Sequence, residues 1–400
     1  VNAPISIREV AAHARVSVGT VSNVLNRPDI VAASTRDRVH ASIKALGFVR
    51  NESARQLRAG RSRMIGLIVL DVANPFFTDV ARGVEDEASK SGLAVILCNS
   101  DDQLPKETGY LDLLEEHRVQ GILITPVADD LRRLAQLQAR GTPVILVDSR
   151  SPSGSQCSVA VDDVLGGDVA TSHLLAAGHE RLAFVGGPVN LRQVADRRDG
   201  ALRALGRVGA APSDLLLIET PALNVSAGKS AGAAIAAMNP DTRPTAVFCA
   251  NDLIALGLLQ EMTQRKIRVP DDIAIVGYDD IDFAAAAAVP LSSVRQPRQQ
   301  IGRTAAQLLL EEALTQETHK HRQVIFQPEL EVRRSSQAGP RTYRPRRPAR
   351  MPSAASQSGA ASQSGAASQS GAASQSGMAD QAGTHLPESA AAALGTEAAG

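Results

Sequence analysis

Between Met64 and about residue 334, short continuous apolar runs alternate with stretches of helical periodicity. The runs are MIGLIVL from Met64, LAVILC from Leu93, GILIT from Gly121 and PVILVD from Pro143. RLAFVG from Arg181, TAVFCA from Thr245 and IAIVGYD from Ile273 follow. Unbroken runs of this kind suit strands covered on both faces. Val80, Val84 and Ala88 recur at helical spacing between the first two runs, and Gly92 ends that pattern. The alternation predicts βαβ units and doubly wound parallel sheets. The span is long for one such sheet, so two similar lobes with a cleft between them are expected.

Residues 1–50 follow a different rule, that of short helices with polar caps. Ser6-Ile7-Arg8-Glu9 has the form of a capping box, and Val10, Ala11 and Ala14 give the following helix a small apolar face. A tight turn, Ala14-Arg15-Val16, leads to Ser17, which can cap a second helix from Val18 to Leu25. A third helix is expected to open at Ser34, bury Val39, Ile43 and Leu46, and end at Gly47. Two short helices braced by a third form a helix-turn-helix, whose second helix would enter the major groove with its N-terminal residues first. Ser17, Val18, Gly19, Thr20, Ser22 and Asn23 are the exposed readers on this pattern. Asn23 can pair with adenine and Val18 can touch a thymine methyl. Ser6, Thr20, Asn26 and Thr35 are placed to hold phosphates. The same pattern also fits a small three-helix bundle with no DNA role.

Residues 51–63, NESARQLRAGRSR, read as a basic linker in which Asn51 can cap a short helix from Glu52 to Arg58. A helix this short is marginal alone in water. From residue 335 to 400 the chain turns to Pro, Arg, Ser, Gly and Ala, with AASQSG repeated in tandem from Ala354 to Gly377. That composition cannot bury enough apolar surface to order itself, so a disordered tail is expected.

The formal net charge is zero, but residues 1–63 hold eleven Lys and Arg against four Asp and Glu, and residues 64–334 hold 26 against 35. A basic head on an acidic body places any phosphate contact in the head. Aromatic residues make up only 2% and Trp is absent, so aliphatic side chains must fill the core. Cys98, Cys157 and Cys249 are far apart, with neither metal spacing nor a disulfide framework. They read as buried reduced thiols of a cytoplasmic protein. No apolar run reaches membrane-spanning length and no secretory signal opens the sequence.

The segment REVAAHARVSVGTVSNVLNRP, Arg8 to Pro28, closely resembles the headpiece of the LacI/GalR family of transcriptional regulators. The resemblance continues through TRDRVHASIKALGFVRNESARQLRAGRSRMIGLIV from Thr35 and covers residues 5 to about 334. It implies an all-α helix-turn-helix headpiece plus an α/β periplasmic-binding-protein-like body of two doubly wound parallel-sheet lobes. It divides the chain into a DNA-binding domain (1–50), a hinge helix (51–63), a ligand-binding and dimerisation body (64–334) and the tail (335–400). In the family, two hinge helices meet in the minor groove of a pseudo-palindromic operator and a leucine wedges between base steps. Leu57 falls at that position, flanked by Ala54 and Arg58, with Asn51 at the helix start. Without the resemblance, Leu57 reads first as an ordinary exposed residue of a flexible linker, since single exposed leucines are normal.

In doubly wound sheets, ligands bind beyond the carboxyl ends of the strands. The polar and aromatic residues there are Asn74, Phe76 and Phe77 in ANPFF, Asp148 in LVDSR, Asn251 and Asp252 in CANDL and Asp279 in GYDD. Arg197 near the next helix and Gln296 in SVRQP complete the set. Carboxylates and amides with one Arg suit an uncharged polyol such as a sugar, with Phe76 or Phe77 covering an apolar ring face. Helix caps at Asp148 and Asp279, a turn at Asn251 and core packing for the phenylalanines are the plainer readings. The resemblance places all of these except Asp252 on positions that commonly touch ligand. Ribose-type members carry Arg directly after the aspartate matched by Asp148. Ser149 stands here, so ribose is not supported, and no purine-type pocket is evident.

Catalytic motifs are weak. Gly228-Lys229-Ser230 looks like the end of a P-loop, but Leu223 stands where its first glycine belongs. His319 and His321 lie in a polar run without a nearby Cys and read as solvated, so neither a metal nor another cofactor is expected. The sequence therefore predicts a homodimeric repressor that is not an enzyme, whose partners are operator DNA and a small effector, a sugar.

Overall fold

The computed structural model describes residues 5–49, 62–128, 130–315 and 318–337. Asn51, Ala54, Leu57 and Arg58, and the tail beyond residue 337, lie outside the described residues.

The head holds α1 (Ile7–Ala14), α2 (Val18–Asn26) and α3 (Ala33–Leu46). Val10, Ala11, Ala14, Val21, Val24 and Val39 form its core, with Leu25, Ile43 and Leu46 packed at the edge. The Ser6 N–H donates to the Glu9 carboxylate at 2.7 Å, and Ser17 Oγ accepts the Thr20 N–H at 3.0 Å, so both expected starts are capped. Arg15 makes the turn between α1 and α2 in the left-handed region at φ 54°. The third start differs. α3 opens at Ala33 behind Ala32, without a side-chain cap, and Ser34 sits exposed in its first turn. A short 3-10 turn, Pro28–Ile30, delivers the chain there instead. Polar bonds tie the helices across the core: His13 Nδ1 meets Ser42 Oγ at 3.0 Å, and Arg38 Nε donates to the Ala14 carbonyl at 2.9 Å.

The body has two six-stranded sheets. The first contains β1 (Met64–Val69), β2 (Ala94–Asn99), β3 (Ile122–Ile124), β4 (Val144–Val147), β5 (Cys157–Val161) and β11 (Gln323–Phe326), in the order β11-β5-β4-β3-β1-β2. All its pairings are parallel. The second contains β6 (Leu182–Gly186), β7 (Leu215–Glu219), β8 (Ala246–Cys249), β9 (Ala274–Asp279), β10 (Ser292–Arg295) and β12 (Glu329–Glu331), in the order β12-β10-β9-β8-β6-β7. It departs from the all-parallel expectation at one edge, where β12 pairs antiparallel with β10. The seven expected strands are present. The other five, β5, β7, β10, β11 and β12, are short, and most lie at or next to a sheet edge.

Helices cover both sheets: α4 (Pro75–Lys90), α5 (Leu104–Glu116), α6 (Arg132–Ala139), α7 (Asp163–Ala176), α8 (Arg192–Arg207), α9 (Val225–Ala237), α10 (Asp252–Gln264), α11 (Asp282–Ala286) and α12 (Arg298–Thr315). Three pairs touch backbone to backbone through reciprocal glycines. A Cβ on Gly83 of α4 would run into the Gln299 carbonyl oxygen, and one on Gly302 of α12 would run into that of Val80. Gly167 and Gly200 join α7 to α8 in the same way, and Gly228 and Gly257 join α9 to α10. The glycine that resembled a P-loop residue is thus a helix-packing position inside α9.

The chain crosses between the sheets three times: from β5 into α7, from β10 into α12, and from β11 to β12. Gly302→Ala should lower the melting temperature by an overpacking cost of about 1–3 kcal/mol. Gly109→Ala, in α5 with nothing within 4 Å of a new Cβ, should be neutral or stabilising. Calorimetry of the two variants side by side checks the contrast.

Candidate functional site

The outer face of α2 carries the candidate DNA readers. Ser17, Gly19, Asn23 and Asn26 are exposed, Thr20 and Ser22 are half-buried, and apolar Val18 remains 42% exposed. An apolar side chain left open at a helix N-terminus suits contact with a thymine methyl. Ser6 is exposed at the start of α1, and Thr35 is half-buried in the first turn of α3. Asn26 Nδ2 donates back to the Ser22 carbonyl at 2.9 Å, which fixes the end of the reading helix.

The second site is a cavity of about 330 Å³ between the carboxyl ends of the two sheets. Asn74, Phe76, Phe77, Asp148, Arg197, Asn251 and Asp279 line it, as expected from sequence. Gln296 does not reach the wall. It lies one layer back, donating through Nε2 to Asp279 Oδ1 at 2.8 Å. Asp71, Asp101, Asp102, Gln193 and Asn224 also line the cavity and were not anticipated. The strand-end rule applies equally to Asp71 after β1 and to Asp101 and Asp102 after β2. Gln193 has no comparable signal, since it sits in the first turn of α8.

Each side chain is held by its element. Asn74 caps α4 by accepting the Phe76 N–H at 3.0 Å, and its Nδ2 reaches Asp279 at 3.3 Å. Phe76 and Phe77 are buried, with their rings edge to face at 5.0 Å. Asn251 caps α10, and its amide donates to the Leu223 carbonyl at 3.0 Å, so both of its side-chain atoms are committed within the protein. Gln193 donates to Asp148 twice, at the carbonyl (2.8 Å) and at Oδ2 (3.1 Å).

Arg197 is buried at the centre. Its Nε donates to Asp163 Oδ1 at 2.8 Å, and Nη1 donates to the Ala250 carbonyl at 2.8 Å and stands 3.8 Å from Asp279. The guanidinium lies 3.7 Å over the Tyr278 ring. Burial works against its charge, but Asp163, Tyr278, Asp279 and Asp148 raise its pKa overall.

Five carboxylates line the cavity against this one cation. Burial pushes Asp279 up to about 6, with Arg197, Asn74 and Gln296 pulling against the rise. Burial and the neighbouring Asp163 raise Asp148 well above the usual range. Asp102 rises to about 6 through burial and the charges of Asp71 and Asp101. Asp101, Asp102, Asp148 and Asp279 all have positive φ, between 51° and 99°. Non-glycine residues held there are strained and cluster at ligand sites. Asp102 Oδ1 and Asp148 Oδ1 are buried without a hydrogen-bond partner, so each keeps acceptor capacity for a ligand donor.

Asp252, beside Asn251, faces away from the cavity. It accepts the Ile281 N–H at 2.9 Å and the Ser293 hydroxyl at 2.7 Å, tying α10 to the turn after β9 and to β10. The solvated reading of His319 does not hold. Its side chain is 7% exposed, and its Nε2 lies 3.1 Å from Cys157 Sγ.

The sign of the pH response follows from the raised carboxyls. Asp102 and Asp279 titrate at about 6 in the folded chain, against 3.8 for an ordinary aspartate. The folded state binds the extra protons between these values, so stability rises as pH falls through that window. As pH falls from about 7 to about 4.5, the melting temperature of the ligand-free parent should gain on that of the Asp102→Asn, Asp279→Asn double variant. A difference that stays constant or moves the other way over that range would contradict it.

A family model described as bacterial regulatory proteins, lacI family, matches residues 6–51, and one described as a periplasmic binding protein-like domain matches residues 171–336. The HTH-type transcriptional repressor PurR of Photobacterium profundum is 34% identical over 332 residues, covering 82% of this chain and 98% of that repressor. Among solved structures, the transcriptional regulator CelR in complex with cellobiose is 30% identical. It superposes with a TM-score of 0.62 and covers 83% of this chain and 99% of that one. The lac repressor dimer bound to operator and the anti-inducer ONPF is 25% identical, with a TM-score of 0.74 over 84% of this chain and 100% of that one. No helix among the described residues is long and apolar enough to cross a membrane. With a DNA-reading head and a two-lobed body matched over nearly the whole length of a named repressor, the chain belongs to the lacI family and is a DNA-binding transcriptional repressor, not an enzyme.

Proposed function

We propose that the protein acts as a homodimer on a pseudo-palindromic operator, and that an uncharged sugar in the interlobe cleft controls its grip. The observation that carries the ligand class is the charge arrangement of the cavity. Among the described residues its only lining cation is Arg197, already spent on Asp163 and Asp279, and Asp101 is paired with Lys106, while the other three lining carboxyls, Asp71, Asp102 and Asp148, face the space without a basic partner. A phosphate or carboxylate ligand would meet net repulsion there. Sugar hydroxyls would donate to Asp102, Asp148 and Asp279, and Phe76 and Phe77 would cover an apolar ring face. CelR, similar over 83% of this chain, holds cellobiose in its solved structure.

The head reads DNA through α2. Asn23 takes an adenine edge, Val18 a thymine methyl, and Ser6, Thr20, Asn26 and Thr35 hold phosphates. Asn51, Ala54, Leu57 and Arg58 serve the minor groove at the centre of the operator. One head reads one half-site, so a dimer matches two inverted half-sites. The sugar shifts DNA affinity only by as much as it prefers one lobe arrangement over the other.

A thermal-shift screen of the full chain against mono- and disaccharides, their phosphates and purines tests the ligand class. A binder present at 100 times its Kd adds about 2.7 kcal/mol of stability. One neutral sugar should raise the melting temperature, and Asp279→Asn should weaken its binding by on the order of tenfold or more. A shift given only by a phosphate or a purine sinks the sugar reading and leaves the repressor assignment intact. For the head, Asn23→Ala should relax base preference at one position per half-site, at about 1–3 kcal/mol of lost discrimination. An unchanged preference in an operator-library selection refutes that role.

A further inference from the structure

Four metal-ligating side chains from distant parts of the chain meet at the end of the first sheet opposite the cleft. Cys157 opens β5, Glu312 lies in the last turns of α12, and His319 and His321 lie on the connection from α12 to β11. Cys157 Sγ is 3.1 Å from His319 Nε2. That nitrogen is 3.5 Å from Glu312 Oε2, and His321 Nδ1 is 3.7 Å from the same oxygen. One ligand atom from each of the four residues lies within 4.8 Å of all the others. Tetrahedral bonds of about 2.0–2.3 Å hold neighbouring ligands roughly 3.3–3.8 Å apart. These three distances match or nearly match that spacing, and no pair in the cluster is wider than 4.8 Å, so any remaining gap closes by about 1 Å of side-chain movement.

Two features go beyond proximity. Glu312 Oε2 is buried on a side chain only 9% exposed and makes no well-formed hydrogen bond; its neighbours are the cluster's own imidazole nitrogens, at 3.5 and 3.7 Å. A buried carboxylate oxygen held only at these distances lacks the close partner that buried acids ordinarily have. The surrounding groups also hold the ligands from behind. The Arg322 N–H donates to Cys157 Sγ at 3.3 Å, and Thr315 Oγ1 stands 3.5 Å from His319 Nδ1, leaving Nε2 turned to the cluster. Second-layer bonds of this kind fix the tautomer and orientation of metal ligands.

We propose that Cys157, Glu312, His319 and His321 form a four-ligand site for a divalent transition-metal ion of the zinc type. One thiolate and one carboxylate neutralise the dication, and two neutral imidazoles complete the set. On binding, the thiol proton leaves to solvent. Mixed sulfur, nitrogen and oxygen ligands favour zinc or cobalt over magnesium or calcium. Four protein ligands leave no open position, so the role is structural. The ion staples α12, β5 and the edge strand β11 together. It does so at the amino ends of the parallel strands, the same edge of the sheet at which the linker from the head enters β1 at Met64.

The test is a Co²⁺ titration of chelator-treated, full-length protein. The expected result is one equivalent per chain with tetrahedral d–d bands and a thiolate-to-cobalt charge-transfer band, displaced by Zn²⁺ with a rise in melting temperature. Cys157→Ser should abolish the charge-transfer band. His321→Ala changes an exposed ring and should keep the native circular dichroism while weakening Zn²⁺ binding at least tenfold. Absence of a tetrahedral cobalt spectrum in the parent protein overturns the site. So does a spectrum unchanged in His321→Ala, which remains decisive even if Cys157→Ser fails to fold.

Discussion

Arg197 is the charge around which the cleft is built. Three carboxylates, Asp148, Asp163 and Asp279, converge on one buried guanidinium. They come from three places: the end of β4 in one sheet, the crossing into α7, and the end of β9 in the other sheet. A buried charge without partners is costly, and the attraction among these groups offsets that cost only while all of them stay in place. The site is accordingly not a set of side chains hung on a finished scaffold. Both sheets have to meet correctly before Arg197 is neutralised, and once it is, little positive charge remains for a ligand to use.

The arrangement also explains why four of the pocket's five aspartates sit at positive φ. At a strand's carboxyl end the chain must turn sharply, and a short polar side chain tolerates that region better than a branched one. The same turn points the carboxylate across the strand ends. Backbone geometry and ligand chemistry therefore favour one residue type at Asp101, Asp102, Asp148 and Asp279.

Much of this was readable in sequence, wherever the cause is local. Capping at Ser6 and Ser17, helical spacing in the head and long apolar runs in the body depend on neighbours a few residues away. The strand-end rule then located Asn74, Asp148, Asn251 and Asp279 without any contact being known. Its failures are equally physical. Strands β11 and β12 are half-exposed, so their apolar runs are diluted, while β7, an edge strand, keeps an apolar run of only four residues, LLLI. Gln296 follows a strand but turns behind Asp279, a choice made by packing and not by position. Cys157 and His319 are 162 residues apart, and no local pattern links them. Gly228, whose P-loop likeness already failed at Leu223, could not be given its helix-packing role from sequence, because glycine serves loops and close helix contacts equally well.

The paired glycines bear on how the two lobes can move. Helices seated directly on one another's backbone leave no layer of side chains to slide or repack, so each lobe behaves as a nearly rigid plate. Displacement is then concentrated in the three crossings of the chain between the sheets, which tether the lobes at three points and limit the directions in which they can part. A molecule wedged between the plates has few coordinates to push on. Whatever is attached to the far edge of the plates is carried along an arc, and a small opening at the pocket becomes a larger displacement at that edge.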